Sequence, residues 1–293
     1  MWKVLYWQDA LPKADLFPGK QRLWLPKFVP SLKLRAQPAK PMLHCLELNL
    51  TDQCNMNCRG CDHFSPIAEP WYADPDRHEE DMRQLQNHFA MIWKIVLRGG
   101  NPLLHPDLER FLQSTREIWP TADIRLVTNG DPLTKMPRSF WESCRSNIVL
   151  IDYIVFPPMM DQYKSICDYA AAKGVAVRPH KFTWLRTARN FNGDSDADEA
   201  FRRCRSRPSL PFLRDGKVYI CVLSALAHYL NANFGTNIPA TDFVDIYAPE
   251  TDGQRILDML GAPAETCRFC ACEFSRCEWG DSRGDKAEWE ALS

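Results

Sequence analysis

Between residues 42 and 180, short apolar runs alternate with longer segments that repeat their apolar residues at helical spacing. The strand-like runs are 42–50, 94–97, 124–128, 149–156 and 175–178, and the helix-like runs between them are 75–93, 106–119, 137–146 and 162–173. A chain that alternates in this way returns through each helix to the same end of its sheet, so its strands lie parallel with right-handed crossovers. This predicts an α/β fold with helices outside a parallel sheet, and such helices demand an apolar outer face. In the first strand His44, Leu46, Leu48 and Leu50 share one face, and Leu43, Cys45, Glu47 and Asn49 share the other. Glu47 and Asn49 are therefore expected to point inward, and Arg178 and His180 share a face by the same period-two rule. Ordinary salt bridging at the strand ends is the plainer alternative for these four.

Just after the first strand comes Cys54-Asn-Met-Asn-Cys58-Arg-Gly-Cys61, a C-x3-C-x2-C triplet. Three thiolates this close can ligate three irons of one cubane cluster and leave the fourth iron without a protein ligand, whereas ordinary ferredoxins use four cysteines. A zinc knuckle is the other reading, with His63 supplying a fourth ligand. The second strand runs into Arg98-Gly99-Gly100-Asn101-Pro102, and the third ends in Thr128-Asn129-Gly130.

The triplet and these two turns, in this order, resemble the signature of the radical S-adenosylmethionine (radical SAM) enzymes. The resemblance implies a partial (β/α)6 barrel, whose sixth unit would lie within residues 181–198. It also implies a catalytic [4Fe–4S] cluster on Cys54, Cys58 and Cys61, with S-adenosylmethionine (SAM) on the open iron. Reductive cleavage there gives a 5′-deoxyadenosyl radical that abstracts hydrogen from an unactivated carbon. Gly99, Gly100, Asn101 and Pro102 are similar to the family's Gly-Gly-Glu-Pro motif, which receives the methionine end of SAM. Asn101 replaces the acid that binds the ammonium, and loses the charge assistance that roughly doubles such a bond. Asn101→Glu is therefore expected to tighten SAM binding, unless Glu47 already holds the ammonium. Thr128 and Asn129 form the later SAM-facing turn. Many relatives carry an aromatic residue just before the third cysteine, beside the adenine. Gly60 stands there in this chain, so His63 or Phe64 would substitute. Glu47, Asn49, Arg178 and His180 complete the candidates facing SAM.

A second cysteine constellation follows. Cys204 and Cys221 bracket Gly216 in a C-x11-G-x4-C element, and Cys267, Cys270, Cys272 and Cys277 come later. Residues 210–213 and 218–220 flank Asp215-Gly216, a hairpin signal. The pattern resembles the SPASM and twitch auxiliary-cluster domains. Six thiolates cannot fill the eight positions of two clusters, so one auxiliary [4Fe–4S] cluster in a twitch-like domain is implied. By resemblance its ligands are Cys204, Cys221, Cys267 and Cys270, with Cys272 able to replace Cys270. A zinc site on the same thiols is the alternative. Cys144 and Cys167 sit in helix-like runs and read as small buried hydrophobes.

The domain reading is a basic proline-rich arm over residues 1–41, a radical SAM barrel over 42–198 and the auxiliary domain over 199–293. The arm carries eight Lys or Arg against two Asp, with six prolines that forbid a long helix. Over the whole chain the net charge is −1, which argues against nucleic acid as a partner. No stretch approaches the roughly 20 apolar residues of a membrane span, and the first ten residues show no signal-peptide core. Twelve cysteines in such a chain fit reduced thiols in the cytoplasm. The expected activity is hydrogen abstraction from a small molecule such as a sugar or aminocyclitol, with an electron donor such as flavodoxin or ferredoxin. A dehydrogenase would pass the substrate electron to the auxiliary cluster. An epimerase would return a hydrogen from Cys272 or Cys277. The alternatives are a peptide-modifying maturase and a non-catalytic iron–sulfur redox relay.

Overall fold

The strand on which the sheet is built, β1 (Met42–Thr51), is buried on both faces from Cys45 onward. In the computed structural model, which describes residues 40–204 and 210–291, the arm expected over residues 1–41 lies outside the described residues but for its last two. Next, α1 (Pro75–His88) starts where the Asp74 carboxylate accepts from the amides of Asp76 and Arg77, with Pro75 in the first turn. It stops short of the predicted residue 93, because β2 (Met91–Gly99) pairs in parallel with β1 from Met42 opposite Met91. Then come α2 (Leu108–Ile118), β3 (Asp123–Thr128), α3 (Arg138–Ser146), β4 (Leu150–Val155), α4 (Tyr163–Ala172) and β5 (Val177–Lys181). The strands β1 to β5 are parallel neighbours in chain order, as the alternation requires.

The next strand, β6 (Trp184–Arg189), falls where the sixth barrel strand is expected, but it leaves the sheet. After it come α5 (Ala197–Arg203), β7 (Phe212–Arg214), β8 (Lys217–Tyr219), α6 (Val222–Phe234), β9 (Phe243–Asp245), α7 (Gly253–Leu260) and β10 (Cys270–Glu278). The sheet runs β5-β4-β3-β2-β1-β7-β8-β9, so its sixth parallel strand is β7, on the far side of β1. β6 pairs antiparallel with β10 instead. Its side chains explain the choice. Trp184 stacks on Phe274 at 6.2 Å, Arg276 lies 4.7 Å over Trp184 and Arg186 lies 4.8 Å over Phe274. A strand reading Trp-Leu-Arg-Thr-Ala-Arg keeps these cations half-solvated beside β10, where a barrel position would bury them. The hairpin between β7 and β8 turns on Asp215 and Gly216, both at positive φ (51° and 73°), the backbone of a type I′ turn.

Leu46, Leu48 and Leu50 meet Phe111, Leu112 and Met82 in the main core beneath the helices. A second apolar cluster joins Phe64, Phe212, Leu226, Leu230 and Trp289. It ties the segment after the cysteine triplet to α6 and to the C-terminal residues. Among the described residues no helix is long and apolar enough to cross a membrane.

His78, on the buried side of α1, packs 4.8 Å from the Phe111 ring and 3.2 Å from the Thr115 hydroxyl. Burial, aided by nearby His105, pushes its pKa down to about 3. The unfolded chain takes up this proton near pH 6.5, and the folded chain does not until far lower. Folding stability from His78 is thus complete above pH 6.5 and falls as pH drops toward 3, by about 1.4 kcal/mol per unit. Denaturant unfolding of His78→Gln against pH should show that slope reduced; an unchanged slope would place the titration elsewhere.

Candidate functional site

The triplet segment leaves the C-terminal end of β1, and the end of β2 comes up against it. A Cβ on Gly99 would overlap the Thr51 carbonyl, and one on Gly100 the Gln53 carbonyl. The Gly100 and Asn101 amides donate to those same oxygens at 2.7 Å each. Two glycines are required because two backbones touch there. The result is a cavity of about 100 Å³ lined by all three triplet cysteines, with Gly99, Gly100 and Asn129 among its other walls. Burial pushes the thiols up, Cys58 to about 11 and Cys61 to about 12, and Cys54 also upward. A bound metal would therefore displace protons from all three.

The donor set distinguishes the two metal readings. His63, the fourth ligand a zinc knuckle would need, has both ring nitrogens engaged: Nε2 lies 3.1 Å from Glu47 and Nδ1 3.1 Å from Asp62. Three thiols without a fourth ligand suit a cubane with one open iron.

Beneath this cavity, Glu47 is 3% exposed and points inward, as the alternation of β1 predicts. Arg98 lies 3.5 Å from Glu47 and 3.5 Å from Asp62, closing a ring of charges with His63. Burial works against the Asp62 anion, yet Arg98, His63 and Arg189 hold its carboxyl well below the usual range. Burial and Arg98 also oppose a protonated His63, but Asp62 and Glu47 raise its pKa. Asp62 and Arg98 both line the cavity and were missed in the sequence. Arg98 was legible, since it continues the inward face of β2; Asp62 carried no signal.

Asn101 lies under the cavity, fully buried. Its amide donates to Asn55 at 2.8 Å and Asn129 at 3.0 Å, and its oxygen accepts from Thr128 at 2.8 Å and Leu103 at 3.3 Å. Both donors and both acceptor positions are engaged within the protein, and these bonds brace Thr128 and Asn129. Those two do line the cavity, while Pro102 starts the short turn behind it. Of the two rings expected beside the adenine, Phe64 is wholly buried against Trp289, 6.3 Å away, whereas His63 lines the cavity together with Phe156. Asn49 is buried and bonded to Asp52 outside the cavity wall. Arg178 and His180 both turn to Asp152, at 2.7 and 3.0 Å, and are partly exposed away from the cavity.

A second cavity, about 150 Å³, gathers Cys204, Cys221, Cys270 and Cys272. Cys267 is near enough to interact with Cys270 and Cys204. Burial pushes Cys221 up to about 12 and Cys267 up to about 11; Cys270 rises too, opposed by Arg189. The Arg189 guanidinium donates to the Cys270 sulfur at 3.6 Å, and Arg186 lines the same space. Asp62 belongs to the walls of both cavities. Of the two candidate donor thiols, Cys272 therefore sits with the auxiliary cysteines. Cys277 opens on a third cavity with Arg59 and Arg276. Neither lines the triplet cavity.

Residues 48–152 match the Radical SAM superfamily. Among curated relatives, the GTP 3′,8-cyclase of Microcystis aeruginosa (strain NIES-843 / IAM M-2473) is 31% identical over 103 residues, 33% of this chain and 31% of that protein. The GTP 3′,8-cyclase of Aquifex aeolicus (strain VF5) is 34% identical over 93 residues, 30% of this chain and 28% of that protein. The chain thus matches about three-tenths of the length of these relatives. Among solved structures, BtrN in complex with AdoMet and 2-DOIA superposes with a TM-score of 0.49 at 18% identity, covering 79% of this chain and 94% of that one. Native anSMEcpe with bound AdoMet gives 0.42 at 12%, over 78% and 83%.

The Asn101 network yields a prediction opposite to the one its sequence position suggests. Asn101→Glu removes both donors and sets a carboxylate against the Asn55 and Asn129 oxygens, which should cost about 2–4 kcal/mol of stability. Asn101→Ala should cost about 1–3 kcal/mol. Thermal unfolding and SAM titration check this. A Glu variant of full stability that bound SAM more tightly would restore the ammonium-acceptor role.

Proposed function

We infer that this chain, whose residues 48–152 match the Radical SAM superfamily, is a radical SAM enzyme that oxidises a small hydroxylated molecule held between two iron–sulfur clusters. The observation that carries the reading is the pair of thiol-lined cavities sharing Asp62. Cys54, Cys58 and Cys61 would hold the catalytic [4Fe–4S] cluster, and Cys204, Cys221, Cys267 and Cys270 the auxiliary one. With SAM bound, the catalytic cluster supplies reductive cleavage to a hydrogen-abstracting 5′-deoxyadenosyl radical.

The chain's own residues do the rest. Gly99 and Gly100 admit the methionine end of SAM to the backbone, and Phe156 takes the adenine-side place that Gly60 leaves without a ring. Asp62, half-exposed and kept anionic by Arg98 and His63, suits a substrate hydroxyl or ammonium at the junction of the cavities. Such groups belong to a sugar or aminocyclitol. Arg189 and Arg186 place positive charge beside the auxiliary thiols, which favours an added electron there. That supports dehydrogenation over epimerisation, since neither Cys272 nor Cys277 lines the triplet cavity. The relatives above are GTP 3′,8-cyclases, but the match covers about a third of this chain and about three-tenths of theirs, which is too little to carry their substrate over. A reductant such as flavodoxin or ferredoxin would serve as electron donor.

Anaerobically reconstituted protein given SAM and dithionite should release 5′-deoxyadenosine. The Cys54/Cys58/Cys61→Ala variant should release none and keep its auxiliary cluster; persistent cleavage would overturn the assignment. Cys272→Ala and Cys277→Ala should be close to neutral in product formation. A stereo-inverted product carrying solvent deuterium would show an epimerase instead.

A further inference from the structure

Immediately after β10 the indole Nε1–H of Trp279 donates to the Cys58 sulfur at 3.2 Å. The indole is fixed from several sides. Its own amide donates to the Thr183 carbonyl at 2.9 Å, and its ring stacks on Phe156 at 6.4 Å and 26°. The residues beyond it form a strap across the triplet loop. Cys58 and Asp281 make an antiparallel bridge, the Arg59 amide donates to the Gly280 carbonyl at 2.8 Å, and the Ser282 amide donates to the Asn57 carbonyl at 2.7 Å. Further on, the Trp289 indole donates to the Cys61 carbonyl at 2.8 Å. One of these two indole bonds reaches a ligand sulfur; the other reaches backbone.

We propose that Trp279 is a positioning residue that sets the reduction potential of the cluster on Cys54, Cys58 and Cys61. The proposal rests on the reading of these cysteines as cluster ligands. An added electron spreads partly onto the ligand sulfurs, so an N–H aimed at one of them bonds more strongly to the reduced form and raises the potential. Burial keeps water from replacing that donor: Cys58 is 6% exposed. Trp279 thereby makes it easier to charge a cluster that must reduce SAM. The strap holds the donor in place, which is why the C-terminal residues return to a loop more than two hundred positions earlier.

The test is a redox titration of the full-length holoprotein with both clusters, following the EPR signal that changes on adding SAM. Trp279→Phe keeps an aromatic ring against Phe156 and removes the N–H. Its ratio of reduced to oxidised catalytic cluster at fixed potential should fall about tenfold, equivalent to about 59 mV for one electron. Trp289→Phe, which loses the backbone bond and part of its packing on Phe64 but no bond to sulfur, should leave the midpoint unchanged. A Trp279→Phe protein with full iron and an unaltered midpoint would overturn the proposal. Where that variant loses iron, benzothienylalanine at position 279 preserves both rings without the N–H, and an unaltered midpoint there is equally decisive against it. A wild-type holoprotein with no SAM-responsive signal would overturn the ligand assignment as well.

Discussion

A carboxylate in the middle of a buried strand cannot stand alone. Glu47 is 3% exposed, with leucines at its neighbours in β1 facing the helices and its own side chain facing the lumen. Removing a partner from such a buried pair costs about 3–5 kcal/mol, so Arg98 and His63 are bound to it by necessity. Arg98 fixes the end of β2 and with it the Gly99-Gly100 approach. His63 and Asp62 follow the third cysteine directly, so the same charge ring orients the exit of the triplet loop. The contacts of Glu47 thus join the ends of β1 and β2 to the exit of the triplet loop.

The two thiol sets are coupled through the same charges. Asp62 faces Arg98 on the triplet side and interacts with Arg189 on the other, and Arg189 reaches the Cys270 sulfur. β6 is the physical bridge. Leu185 lines the triplet cavity, while Arg186 and Arg189 line the auxiliary one. A strand buried in the main sheet could not present both sides in this way. Its departure to pair with β10 sets β6 between two groups of cysteines.

The legible parts of the sequence are those governed by local period. Five strands and four helices fall within a few residues of where the alternation puts them, and the inward face of β1 follows from leucine spacing alone. The Asp215-Gly216 turn was legible for the same local reason. What escaped depends on contacts between distant segments. β6 was expected in the barrel because nothing local reveals its aromatic and cationic ladder with β10. Asn101 looked like a weakened acid, since its four hydrogen bonds come from three separate turns. Trp279 is 221 residues from Cys58, and no spacing rule connects them.

The central claim is that two separate thiol sets each hold one cubane cluster. The direct measurement is iron and zinc content, with Mössbauer spectra, on anaerobically reconstituted wild type, on Cys54/Cys58/Cys61→Ala and on Cys204/Cys221/Cys267/Cys270→Ala. The account predicts two cubanes in the wild type, one in each variant, and a SAM-induced change at a single iron only where the triplet is intact. Zinc in either set, or a triplet variant that retains both cubanes, would contradict it.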